Sequence, residues 1–232
     1  MIYITGDTHG ERKHYWSYRE NPNWGEEDCI IVCGDCGHLF WDDWAETEFL
    51  DKLEQRPYTL CFVDGNHENF PAIFRYPQEV WNGGLVHRIR RNVFHLMRGQ
   101  VFTIQGTTVF TFGGAASIDK VMRIPGRSWW PEELPTIGEY AEAEKNLERH
   151  GWQVDCILTH TAPLEIIRRM GYAPGDEDRE LTGFLEYIMY KAKYQHWYFG
   201  HWHEDRDISE RFTALWYDIR VLEGGCSNGT EV

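Results

Sequence analysis

The chain has 232 residues, of which 42% are apolar and 26% charged, the composition of an ordinary folded globular protein. Lys and Arg total 23 against 37 Asp and Glu, a net charge of −14. That balance disfavours attraction to a nucleic-acid backbone, and an anionic substrate would need positive charge fixed inside a cleft. The apolar runs are all far shorter than the about 20 residues that cross a bilayer, so no membrane span is expected. The opening MIYITGDTHG lacks the basic start and long apolar core of a signal peptide, and the expected location is the cytoplasm.

Five short runs of β-branched and aromatic residues read as buried strands, each ending in a polar cluster beside a glycine or threonine. MIYIT leads to Gly6-Asp7-Thr8-His9 and CIIVC to Gly34-Asp35-Cys36-Gly37. TLCFV leads to Asp64-Gly65-Asn66-His67-Glu68, DCILT to His160-Thr161, and HWYF to Gly200-His201-Trp202-His203. Helices are predicted between them. Trp41–Arg56 carries apolar positions at Trp44, Ala45, Phe49, Leu50 and Leu53 and stops before Pro57. Within Glu132–His150 the regular helix is expected from about Glu139, after Pro135 and Gly138. Pro163–Met170 opens on proline and stops at Gly171, and Arg179–Tyr194 follows the acidic run Asp176-Glu177-Asp178, read as a solvated helix start. Residues 85–113 read as close-spaced strands joined by turns, and 208–222 add one or two more. Parallel βα units together with hairpins favour two packed mixed sheets over one doubly wound sheet. No boundary linker is visible, so residues 1–232 read as one domain, with Gly113–Pro135 a long loop over the active face.

Cys33 and Cys36 form a lone CxxC, but no second pair follows, and Cys29 and Cys33 lie inside an apolar run. The cysteines are expected to be buried or half-buried free thiols. Asp7, His9, Asp35, Asn66, His67, His160, His201 and His203 carry the chemistry instead. Carboxylate, imidazole and amide suit borderline divalent metals. Taken singly, each histidine reads more naturally as a surface or packed residue. Together they occupy one architectural address, the C-terminal ends of strands, which in layered α/β proteins face a common crevice. So many candidate ligands exceed the need of one tetrahedral ion and suit two ions sharing a carboxylate.

The ordered motifs DxH, GD, GNHE, TH followed by proline, and GHxH resemble the signature of the calcineurin-like metallophosphoesterases, from Asp7 to His203. The resemblance implies an α/β fold, a four-layer αββα sandwich of two mixed β-sheets flanked by helices, with a two-metal centre at the strand ends. It implies one ion held by Asp7, His9, Asp35 and His203, and a second by Asp35, Asn66, His160 and His201, with Asp35 bridging. His67 is then the catalytic histidine, set over the substrate. The expected cofactors are two divalent metal ions, drawn from Mn, Fe or Zn. The expected reaction is hydrolysis of a phosphoester, diester or monoester, by a hydroxide bridging the ions.

Many members of the family carry an aspartate three residues after the bridging one, where this chain has His38. Protein serine/threonine phosphatases continue that segment with Asp-Arg-Gly, where this chain has His38-Leu39-Phe40, which weakens a protein-phosphatase reading. The partner that holds His67 is then open, Asp64 or a backbone carbonyl. Asn66, His67, Arg12, Arg123 and Arg127 are the candidate substrate contacts. Arg123 and Arg127 follow Gly113-Gly114-Ala115-Ala116-Ser117, which resembles a loop that small members of the family place beside the metals. Trp129 and Trp130 would either pack this loop down or cover the cleft. The partner expected is a small phosphorylated molecule. The alternatives are a protein phosphatase or a catalytically silent scaffold, and the oligomeric state is open.

Overall fold

The apolar runs form strands that pair in parallel, in a computed structural model that describes residues 1–10 and 24–222. Arg12 and Cys226 lie outside the described residues. One sheet has seven strands, with β1 (Ile2–Thr5), β2 (Cys29–Val32), β3 (Thr59–Phe62) and β6 (Val93–Leu96) parallel at its centre. β4 (Gln78–Trp81) and β5 (Gly84–Arg90) extend it antiparallel on one side, and β13 (Ile219–Leu222) on the other. The other sheet has six strands. Its parallel centre is β8 (Thr107–Phe112), β9 (Cys156–Thr159), β10 (His196–Phe199) and β12 (Phe212–Ala214). β7 (Gln100–Ile104) and β11 (Arg206–Ser209) are its antiparallel edges.

The fold is the expected α/β sandwich, and the period-2 alternation of its strands decides the layers. In β2 and the residue after it, Cys29, Ile31 and Cys33 face the second sheet, where they meet Cys156, Leu158 and Phe102. Ile30 and Val32 face the other way, onto Leu50 and Leu53 of helix α1 (Trp44–Glu54) and Ile73 of the short helix α2 (Phe70–Phe74). The second sheet turns Ile157, Phe112 and Trp197 outward onto α3 (Ile137–Arg149), α4 (Leu164–Met170) and α5 (Arg179–Lys191). The described cysteines are free and buried, as expected.

Several boundaries differ from the sequence reading for local reasons. The hairpin-rich stretch is divided between sheets, with β5 and β6 in the first and β7 and β8 in the second. β4 was not foreseen: it is an edge strand with half of its residues exposed, so it lacks a buried apolar run. The C-terminal stretch supplies three strands instead of one or two. α3 starts two residues before Glu139 because Thr136 and Glu139 form a capping box that carries Gly138 inside the helix. α5 stops at Lys191, where Ala192 turns extended. Asp178 is buried, and its carboxylate accepts the Ala116 N–H at 2.6 Å, so the acidic run is not simply solvated.

His38 sits against the Phe49 ring, with a buried Nε2 that meets no hydrogen-bond partner among the described residues. Burial pushes its imidazole down to about 4. The unfolded chain takes up that proton near pH 6.5. Stability from keeping His38 neutral is therefore complete above about pH 6.5 and is lost as pH falls toward 4. Denaturant unfolding at pH 7 and pH 4.5 should show the His38→Leu variant losing less stability than the parent, by about 1–3 kcal/mol.

Candidate metal centre

Strands from both sheets deliver the polar cluster. Asp7 and His9 follow β1, Asp35 follows β2, Asn66 and His67 follow β3, His160 follows β9, and His201 and His203 follow β10. The chain leaves the pleat sharply at these points. His9, Asp35, His201 and His203 all have positive φ, of 46°, 50°, 69° and 50°. Such backbone costs about 1–3 kcal/mol per residue and persists only where the surroundings enforce it. The GHxH segment is thus a loop, which lets its two imidazoles face different parts of the cluster. Two glycines make the crowding possible. A Cβ on Gly65 would lie 2.1 Å from Asp35 Oδ1, and one on Gly34, at φ +90°, would lie 2.1 Å from the His160 ring.

The cluster has two lobes. In one, Nε2 of His9 and Nε2 of His203 face each other at 2.9 Å, and Asp7 offers an oxygen within 4.8 Å of both. In the other, Asn66 Oδ1 lies 3.0 Å from His160 Nε2 and 3.1 Å from His201 Nδ1. Asp35 stands between them, with Oδ2 3.7 Å from His9 Nε2 and Oδ1 3.5 Å from His160 Nε2. Backbone donors fix the carboxylates. The His201 N–H reaches both oxygens of Asp7 at 2.8 and 2.9 Å, and the His67 N–H donates to Asp35 Oδ1 at 2.7 Å. His160 Nδ1 donates to the Cys33 carbonyl at 2.8 Å, which aims Nε2 into the cluster.

This donor set fits divalent cations. Two buried carboxylates, an amide oxygen and inward-facing imidazole nitrogens form a cluster of lone pairs whose mutual approach is favourable around positive charge. The charges respond accordingly. Burial pushes the Asp7 carboxyl up to about 7, with Asp35 adding to the rise and His160 opposing it. Burial also pushes Asp35 up, but His160, His67 and His9 outweigh it and hold the group well below the carboxylate range. Burial lowers His160, yet Asp35 and Asp7 overcome that and raise it. For His201, burial and the neighbouring His160 outweigh the pull of Asp35, and it falls to about 3.

Around the lobes lies a cleft of about 540 Å³ lined by Asp35, Asn66, His67 and the 201–203 segment, and walled by Ile118 and Tyr172. Arg123 Nη2 lies against the His67 ring, 3.2 Å from Nδ1 and closer to Nε2, so it can donate to whichever of the two is unprotonated, and Nη1 donates to the Asn66 carbonyl at 3.1 Å. Its Nε pairs with Asp119 at 2.7 Å. Asp64 does not hold His67, since Arg98 and His95 occupy its two oxygens. Arg127 is exposed and makes no hydrogen bond or ion pair with the cluster among the described residues. Trp130 is buried edge-on to Phe40, so the loop is packed down there.

Three supporting residues escaped the sequence reading. Glu68, buried, accepts the Cys36 N–H at 2.8 Å and so anchors the loop that carries Asp35. Its place inside GNHE was the available signal. Ser117 binds Asn66 Nδ2 at 3.2 Å, and Glu133 binds Ser117. Glu133 gave no signal, because a glutamate in an acidic stretch reads as solvated.

A profile of the calcineurin-like phosphoesterase family matches residues 1–205. The chain belongs to that family, whose members are metal-dependent phosphoesterases. No curated protein sequence matches the chain significantly.

Cation uptake must displace the proton that the buried Asp7 holds up to about pH 7. Calorimetric titration of metal-free protein should show the affinity of the Asp7 lobe falling about tenfold per pH unit below pH 7, for one competing proton. The Asp7→Asn variant should bind more weakly at every pH.

Proposed function

We propose that the protein hydrolyses the phosphoester bond of a compact substrate, a small diester or monoester, at a dinuclear metal centre. The observation that carries this reading is the two-lobed cluster with Asp35 facing both lobes and a cleft opening above it. Asp7, His9, Asp35 and His203 would hold one ion, and Asp35, Asn66, His160 and His201 the other. Bound divalent cations supply Lewis-acid polarisation of phosphoryl oxygens and acidify water. Mn, Fe and Zn all suit nitrogen and oxygen donors.

His67 serves as the catalytic histidine. Burial, reinforced by Arg123 and His9, outweighs the pull of Asp35 and lowers its imidazole to about 4, so the ring is neutral at neutral pH. A phosphoryl group entering the cleft competes for the Arg123 guanidinium, which is suited to planar recognition of phosphate oxygens. Its negative charge also raises the proton affinity of His67, so the ring can take up a proton when the substrate binds and then pass it to the leaving oxygen. Asn66 borders the substrate through the same cleft, and Arg12 and Arg127 are further candidate phosphate contacts. The complete set of ligands, together with His67, supports turnover over a silent scaffold.

Metal-supplemented protein should hydrolyse bis-p-nitrophenyl phosphate, p-nitrophenyl phosphate or both, and the ratio assigns diester or monoester preference. Asp35→Asn should abolish turnover and weaken both ions. His67→Ala should lower kcat by about 10²–10⁴-fold with metal stoichiometry retained, and Arg123→Ala should act mainly on KM. No turnover of either ester by protein carrying two ions would count against a general phosphoesterase.

A further inference from the structure

An asparagine that ligates a metal has a problem that aspartate lacks. Its oxygen and its NH2 are nearly the same size, and only the oxygen has a lone pair to give. Rotated by half a turn, Asn66 would present two hydrogens to the space between His160 Nε2 and His201 Nδ1. We infer that Ser117 and Glu133 are positioning residues that select the ligating face of Asn66. The inference rests on the metal-centre reading above.

The selection follows from counting protons. Glu133 is buried at 1% exposure, and both of its oxygens accept from Ser117, one from the N–H at 3.0 Å and one from the hydroxyl at 2.5 Å. The single hydroxyl proton of Ser117 is therefore spent on Glu133, and only lone pairs face Asn66. Asn66 Nδ2 donates to that oxygen at 3.2 Å, and Oδ1 is left toward His160 and His201. Turning the amide over would set two oxygens against each other in a buried site.

One guanidinium holds both ends of this relay. Arg98 forks onto Asp64 Oδ2, with its Nε at 2.7 Å, two residues before Asn66. The same side chain donates to the carbonyls of Glu132 and Glu133 at 2.8 and 3.3 Å. The Gly114 N–H closes the arrangement on the Asp64 carbonyl at 2.9 Å. The strand end that carries the ligand and the turn that carries its selector thus share one anchor.

The test is calorimetric titration of the metal-stripped protein with Mn²⁺, accompanied by thermal unfolding. The parent should bind two ions. Ser117→Ala should weaken one ion by about 10–100-fold and leave the other within about twofold, with cooperative unfolding retained. Glu133→Gln should do the same despite its equal size. Its NH2 can donate to Ser117 Oγ, which frees the hydroxyl proton to turn toward Asn66 and favours the wrong face. Adding Asn66→Asp to Glu133→Gln should restore the lost ion, because one aspartate oxygen accepts that hydroxyl and the other ligates. Parent-like titrations of Ser117→Ala and Glu133→Gln would overturn the inference. So would equal weakening of both ions, or a double variant no better than Glu133→Gln. Fewer than two ions on the parent would overturn the dinuclear reading itself, and the inference with it.

Discussion

Two carboxylates with no exposed surface to speak of, Asp7 and Asp35, set the terms for the rest of the molecule. Negative charge in such a place is tolerated only beside compensating charge or donors. The chain meets that demand in layers. Backbone N–H groups of His201 and His67 hold the carboxylates, and imidazoles ring them. Outside that ring, Glu68 and the Cys33 carbonyl hold the loops and rings in place. The residual pull on Asp7 and His160 is toward more positive charge, a pull that a bound cation would satisfy.

The second demand is geometric. Seven side chains cannot reach one point from a flat sheet, because a strand sends successive residues to opposite faces. The chain escapes by leaving the strands in left-handed steps at four of the polar positions. The local strain is carried by sheets whose parallel centres are buried on both faces.

Most of this layout was legible in the sequence because it depends on short-range signals. β-Branched runs ending in glycine identify central strands, and the polar residues after them are fixed to within a residue by the motif. The same logic explains what was hidden. β4 has no buried run to announce it. Glu133 and Asp178 act through burial that arises only when distant segments meet, at separations of 16 and 62 residues from their partners. The tie between Arg98 and Asp64 likewise has no local signature. The division of two adjacent hairpins between different sheets is decided by which core each buries, and the strand patterns alone do not carry that.

The cluster straddles the seam between the sheets, with Asp7, His9, Asp35 and Asn66 extending from one and His160, His201 and His203 from the other. The aliphatic and thiol contact between the sheets, Ile31, Cys61, Leu158 and Cys156 among its members, therefore acts as a gauge block. Its thickness sets how far apart the two halves of the polar cluster stand. A methylene added or removed there, well away from any lone pair, would change the bite of the centre as surely as a change of ligand.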